Sequence, residues 1–348
     1  MGEVKLDRFA LVAQCESARR WLTVQANLGL AQNTLDAYGR ALNDYLDFCQ
    51  RTSINVHAAI RSQIATYVRD LASRPNRRAP KIVRLDSGIG LANATLQQRL
   101  TAVRLFYDYL IEEGIRSTNP VGRGRYTPGK AFAGTRERGL IPRFRKLPWI
   151  PNEEQWHAML GAAKVQPLRN RLMLAFSYDA GLRREELCSI EIDDLDPSHR
   201  LLRIRAETTK NHQGRVVPYS EDTGRLFDAY LPLRRDLTRE RGRLFVSESR
   251  RNRGHPLSIW TWSKVVHGIS RKSGIAEFST HSLRHLCLTD LARAGWDIHE
   301  IARFAGHRSL ETTLIYIHLS GRELAAKLDR GMTQIHAWRT KKLTEGNE

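Results

Sequence analysis

The chain has 348 residues, 41% of them hydrophobic, and no apolar run approaches the roughly 18 residues that a membrane helix needs, so it reads as a soluble protein of two domains. Lys and Arg number 56 against 37 Asp and Glu, a formal charge of +19 and a pI near 10.2, which predicts a polyanionic partner, nucleic acid first. Four scattered cysteines (Cys15, Cys49, Cys188, Cys287) argue against a disulfide framework or zinc ribbon, and Met1 to Ala10 show no secretory pattern, so reduced thiols and a cytoplasmic location are expected.

From Asp7 to Ala26 the apolar spacing predicts one or two short helices. Asn33 is the expected cap of an amphipathic helix whose stripe is Leu35, Tyr38, Leu42, Tyr45, Leu46 and Cys49. A second helix is predicted from Ser62 to Leu71. Residues 73–92 carry Pro75, Pro80, Gly88 and Gly90 among Arg74, Arg77, Arg78, Lys81 and Arg84, which reads as an exposed loop suited to phosphates. Asn93 or Thr95 opens a third helix through Leu96, Leu100, Val103, Phe106 and Leu110 to Gly114, and Asn119-Pro120 closes this helical domain.

Residues 121–148 are rich in Gly and Pro and hold eight Lys or Arg, so they read as a basic linker. Asn152 then caps a helix with Trp156, Met159 and Leu160. Leu168 to Tyr178 forms another that stops at Ala180-Gly181, and helix resumes from Arg183 to Ile190. Glu191 to Leu195 is expected to be a short strand. Leu201 to Ala206 and Arg215 to Tyr219 alternate as paired strands around the polar turn 208–214. Helices follow at Leu226–Leu237, Ile259–Ser270, Thr280–Ala294, Ile298–Ala305 and Ser309–Ser320, with a last short amphipathic segment at Arg322–Asp329.

Ala180-Gly181-Leu182-Arg183-Arg184-Glu185-Glu186-Leu187, Thr209-Lys210 before Arg215-Val216-Val217-Pro218, His281-x-x-Arg284-His285, Gly306-His307-Arg308-Ser309 and Thr313-x-x-Tyr316-x-His318 stand in one order and spacing. Together they resemble the tyrosine recombinase (phage integrase) family. Thr34-Leu35-Asp36-Ala37-Tyr38 and Thr95 to Glu113 look like its core-binding domain, so the likeness spans about residues 8–320. It implies a mainly α fold with a small antiparallel β-sheet: an all-helical, SAM-like core-binding domain and an α+β catalytic domain. The expected layout is a helical DNA clamp at 8–120, the linker at 121–148, the catalytic domain at 149–320, and a C-terminal helix and tail at 321–348 that docks on a neighbouring protomer. The clamp starts close to Met1, which tilts the expectation away from members with an extra arm-binding domain.

The residues suit such chemistry on physical grounds. A phosphodiester repels nucleophiles, and its transition state spreads more negative charge onto the non-bridging oxygens, so the paired guanidiniums of Arg183 and Arg284 fit it. Tyr316 is the candidate nucleophile; with a phenol pKa near 10 it attacks only where cations or a base favour the phenolate. His281 or His307 is the candidate base or phosphate donor, and His285, four residues after His281, shares its helix face. The resemblance implies a 3′-phosphotyrosyl link with a free 5′-hydroxyl, Lys210 as the general acid, and Glu186 as a group that orients Arg183 or an adjacent histidine.

His281, His285 and His307 superficially resemble zinc ligands, but Ser282 stands where a metalloprotease needs Glu, and Arg284 lies between the pair, so no metal is expected. No acidic cluster for a two-metal nuclease and no phosphate-binding P-loop are present, so no cofactor is expected either. The function implied is a site-specific DNA recombinase that exchanges strands through a Holliday junction, with double-stranded recombination sites as partner and four protomers on two duplexes. The competing readings are a type IB-like topoisomerase, a hairpin resolvase, and a catalytically silent DNA-binding regulator.

Overall fold

Leu35, Leu42, Tyr45, Leu46 and Cys49 fall on one buried face of a 20-residue helix, and that face anchors the first of two units into which the chain divides, Met1–Arg145 and Lys146–Glu348. The structure, a computed structural model, describes residues 4–74, 91, 93–122, 147–319 and 321, and beyond them 333, 335, 337–339 and 341–343. The expected basic loop after Arg74, most of the linker and the Arg322–Asp329 segment lie outside the described residues.

In the first unit a 3-10 turn at Leu6–Arg8 precedes α1 (Ala10–Gln14), α2 (Glu16–Asn27) and α3 (Gln32–Arg51). A second 3-10 turn at Val56–Ala58, α4 (Arg61–Ser73) and α5 (Asn93–Glu112) complete it. Trp21, Tyr45, Tyr67, Phe106 and Tyr107 fill its core, and the hydroxyls of Tyr45 and Tyr107 meet at 2.7 Å, so neither buried oxygen is left unpaired. The predicted cap Asn33 lies inside α3, which starts one residue earlier at Gln32. The first turn is held instead by Asp36, whose carboxylate takes Gln32 Nε2 at 3.0 Å and Arg8 Nη1 at 2.6 Å near the positive end of the helix. After α5, Asn119 ties the chain back to that helix: its amide donates to the Arg104 carbonyl at 3.0 Å and its oxygen accepts the Val121 N–H at 2.9 Å.

The second unit comprises α6 (Glu153–Lys164), α7 (Leu168–Asp179), α8 (Arg184–Ser189), β1 (Leu195–Asp196), β2 (Leu201–Ile204), β3 (Arg215–Pro218), α9 (Glu221–Leu237), α10 (Ile259–Ser273), α11 (Thr280–Arg293), α12 (Ile298–Ala305) and α13 (Leu310–Leu319). Asn152 caps α6 as expected, exchanging bonds of 2.8 and 3.0 Å with Gln155. Several boundaries shift by one to three residues, as where β2 ends at Ile204 and α10 runs on to Ser273, and two differ more. Glu191–Leu195 is no strand: the Glu191 N–H donates to Asp194 Oδ2 at 2.9 Å, which closes a 3-10 turn at Ile192–Asp194 and leaves two residues to pair as β1. And α9 begins five residues before Leu226, because Ser220 Oγ accepts the Thr223 N–H at 3.2 Å.

The three strands form one antiparallel sheet in the order β1-β2-β3, with Leu202 opposite Val217 and Ile204 opposite Arg215. Leu202, Ile204 and Val217 are buried in a core shared with Leu172, Phe176, Phe245, Trp262, Leu283 and Ile301. Residues two apart on a strand share a face, so the pleat that buries Val217 turns Arg215 inward beside it. No helix among the described residues is long and apolar enough to cross a membrane.

Candidate active site

The last carbonyls of a helix have no partner within it and lie at the negative end of its dipole. At α12 three successive ones each receive a different arginine. Phe304 O accepts Arg215 Nε at 2.8 Å, Ala305 O accepts Arg284 Nη2 at 2.6 Å, and Gly306 O accepts Arg183 Nη2 at 3.5 Å. Gly306 makes the stop possible with a left-handed φ of +64°; a Cβ there would stand 3.1 Å from Arg215 Nη1.

Each arginine arrives from its own element. Arg183 caps α8 and its N–H donates to Glu186 Oε2 at 3.0 Å, while its Nη1 meets Glu186 Oε1 at 2.8 Å. Arg215 comes from β3 and grips both oxygens of the same carboxylate, at 3.1 and 2.8 Å. Burial raises the Glu186 pKa, but Arg215 first and Arg183 next outweigh it and hold the carboxyl at about 2. Arg284, on α11, is only 3% exposed and, among the described residues, has no ion pair with a carboxylate. Its other donor reaches the carbonyl of Gly181 at 2.5 Å, and Gly181 itself is left-handed at φ +53°. Burial, with Arg183 adding to it, pushes Arg284 down to about 10, still charged at neutral pH.

The phenol stands against these cations. Tyr316, 4% exposed on α13, bonds His285 Nδ1 at 2.9 Å, and its ring lies parallel to that of His307 with centroids 6.0 Å apart. His307 Nε2 faces Arg284 Nη2 at 3.1 Å and its Nδ1 faces Thr313 Oγ1 at 2.9 Å. Burial, helped by Arg284 and Arg183, holds His307 down at about 3; burial, His281 and Arg284 hold His285 at about 4. Burial raises the phenol pKa of Tyr316, against the pull of Arg284 and Arg183. At neutral pH the pocket therefore holds a protonated phenol, these two neutral imidazoles, three guanidiniums and one carboxylate. Among the described residues no three His, Cys, Asp or Glu side chains group closely enough to hold a metal.

Arg183, Glu186, Arg284, His285, His307 and Tyr316 are thus brought together. His281 sits at the exposed rim, its ring 6.0 Å from that of His285; loss of water lowers its pKa first, opposed by Glu185. Lys210 is exposed in the β2–β3 turn, and among the described residues its ammonium has no hydrogen bond or ion pair. Its neighbour Asn211 ties the turn to the pocket, donating to Gly306 O at 3.4 Å. Arg184 pairs with Glu185 at 2.6 Å and donates to Ser263 Oγ at 3.2 Å.

Residues 151–323 match the phage integrase family, and residues 20–114 match the phage integrase N-terminal SAM-like domain. A tyrosine recombinase XerC of Mycobacterium sp. (strain KMS) is 30% identical over 251 residues, spanning 69% of this chain and 77% of that protein. The chain belongs to the phage integrase family of tyrosine recombinases. It is an enzyme of site-specific recombination. A tyrosine recombinase of Thermosipho africanus is 25% identical over 295 residues, covering 84% of this chain and 91% of its own. Among solved structures, the XerH site-specific recombinase bound to palindromic difH substrate shares the fold at a TM-score of 0.65 and 20% identity, over 90% of this chain and 84% of that one.

Two residues of the recombinase's pocket escaped the sequence reading. Arg215 stood inside a quoted motif but was read only as strand. The signal was its place two residues before Val217, a charge on the face that alternation buries. Thr313 carries no charge, and only its position three residues before Tyr316, on the same helix face, hints at a shared role. His281 and His307 are the sequence candidates for base or phosphate donor; the hydrogen bond to the phenol oxygen is held by His285, one helical turn deeper along α11 than His281.

Proposed function

We propose that this recombinase cuts and rejoins double-stranded DNA by moving a scissile phosphate onto Tyr316. The observation that carries the reading is the contact series Tyr316–His307–Arg284, a phenol stacked on an imidazole that is itself bonded to a buried guanidinium. In the step proposed, Tyr316 Oη attacks phosphorus and loses its proton, for which His285 is the nearest acceptor. The P–O5′ bond breaks, the DNA 3′ end is left as a phosphotyrosine, and the departing 5′ oxygen takes a proton from Lys210. Attack by a 5′-hydroxyl on the phosphotyrosine reverses the step, so rejoining needs no external energy source.

Arg183 and Arg284 are assigned to the non-bridging oxygens, His281 to a hydrogen bond with the phosphate, His307 to holding Arg284 through Nε2, and Glu186 to holding Arg183. The excess of 19 positive charges suits a long phosphate track. The finer reading is strand exchange through a Holliday junction by four protomers on two duplexes, in the cytoplasm, for integration, excision or transposition of a mobile element. In it, residues 8–120 clamp the DNA, 121–148 cross its backbone, 149–320 catalyse, and 321–348 dock on a neighbouring protomer. These roles rest on the family resemblance and on the charge.

The test uses a duplex selected from a random-sequence library by binding to the protein, nicked near the bound centre so that cleavage is trapped. A covalent complex with a free 5′-hydroxyl supports the reading. A complex through a 5′-phosphate, or strand cleavage with no covalent protein, refutes it.

A further inference from the structure

We propose that Arg215 is a positioning residue for the recombination chemistry: by occupying Glu186 it leaves Arg183 as a net cation facing the scissile phosphate. The inference rests on the assignment of this pocket to phosphate.

Arg215 presents little of itself to DNA: its side chain is buried and three of its five N–H donors are bound within the protein. Its Nε is taken by the Phe304 carbonyl, its two Nη atoms by the two oxygens of Glu186, and its side chain is 7% exposed. Arg183 differs on each point. Its side chain is 20% exposed, it holds one Glu186 oxygen through Nη1, and among the described residues its Nη2 has only the long contact to Gly306 O. An arginine carries five N–H donors, so the accessible edge of Arg183 keeps donors for a ligand.

Charge gives the arrangement its meaning. Three guanidiniums and one carboxylate leave the pocket with two net positive charges. A phosphodiester carries one negative charge and the five-coordinate phosphorus formed on attack carries about two, so the pocket matches the transition state better than the ground state. Without Arg215, Glu186 and Arg183 form a neutral pair beside the phosphate, and only Arg284 remains as a net cation. Arg215 also pins the Phe304 carbonyl, next to the carbonyls that receive Arg284 and Arg183, so the same side chain sets the charge and the spacing of the other two arginines.

The experiment measures single-turnover formation of the covalent complex on the selected, nicked duplex for Arg215→Gln, Glu186→Gln and the double variant, with DNA affinity measured alongside. Arg215→Gln is expected to slow cleavage by at least about tenfold, with affinity changed no more than about threefold. Adding Glu186→Gln removes the carboxylate that neutralises Arg183 and is expected to recover at least part of that loss. A merely structural role predicts the opposite, losses that add. A double variant as slow as or slower than Arg215→Gln overturns the proposal, as does Arg215→Gln at the wild-type rate. Arg215→Lys keeps the charge and loses the paired geometry; it is expected within about tenfold of wild type. A folded lysine variant as inactive as Tyr316→Phe overturns the proposal even where the glutamine variant does not fold. Failure of the phosphate reading shows separately, as a wild-type protein that forms no adduct.

Discussion

Arg284 Nη2 lies 3.1 Å from His307 Nε2, and that contact fixes the histidine's protonation. A guanidinium has no lone pair to offer, so Nε2 accepts, the ring proton sits on Nδ1, and Nδ1 donates to Thr313 Oγ1. The buried hydroxyl of Thr313 therefore sets the tautomer of a pocket histidine from the same helix that carries Tyr316. Thr313→Val keeps the shape and removes the acceptor. It leaves a buried N–H unpaired and is expected to cost about 1–3 kcal/mol in urea unfolding. Nitrogen chemical shifts of His307 should show the Nδ1–H form in the wild type and a changed tautomer balance in the variant.

Two histidines held neutral make stability depend on pH. Their folded pKa values, about 4 for His285 and about 3 for His307, lie below the ordinary value of about 6.5 for an unfolded chain. Above that value both states are neutral, and the pair adds no pH dependence. As pH falls through 6.5 towards 4 the unfolded chain binds protons that the folded one refuses, so stability drops, by up to about 1.4 kcal/mol per pH unit for each histidine. Glu186, held at about 2, adds loss in the same direction below about 4.5. Urea unfolding of His307→Asn should show a pH slope between 6 and 4.5 shallower by nearly one proton; an unchanged slope contradicts the assignment.

At Gly306 the added methyl of alanine meets a left-handed backbone and Arg215 Nη1 together. Gly306→Ala is expected to lose about 1–2 kcal/mol of stability from the backbone alone. It should also slow covalent cleavage, because the methyl displaces Arg215 from Glu186. Gly161→Ala, in α6 with open space around it, serves as the control and should leave cleavage unchanged.

Binding should be strongly salt-dependent. If six phosphates are neutralised, affinity for the selected duplex falls by roughly a thousandfold between 50 and 200 mM salt. A slope near zero on a log–log plot of affinity against salt would count against an extended phosphate track.

The sequence carried the frame of this protein well and its couplings poorly. Amphipathic spacing located α3, α4 and α5, and the Asn152 cap and the Ala180-Gly181 stop were legible because local chemistry sets them. The Glu191–Leu195 stretch misled because the Glu191–Asp194 bond, not apolar alternation, decides it. In the pocket, motif order named Arg183, Lys210, His281, Arg284, His307 and Tyr316. It did not show that Arg215 shares Glu186 with Arg183, that α12 ends on three arginine-holding carbonyls, or that His285 reaches the phenol. Those facts depend on contacts between residues 21 to 123 positions apart, which no local pattern encodes.

The central claim is that Tyr316, and no other residue, takes the DNA strand. Wild-type protein trapped on the nicked, selected duplex should yield, after digestion, a peptide containing Tyr316 with a nucleotide on its phenol oxygen. Tyr316→Phe should bind the same duplex with similar affinity and give no adduct. A nucleotide on any other side chain, or a covalent complex formed by the phenylalanine variant, contradicts the account.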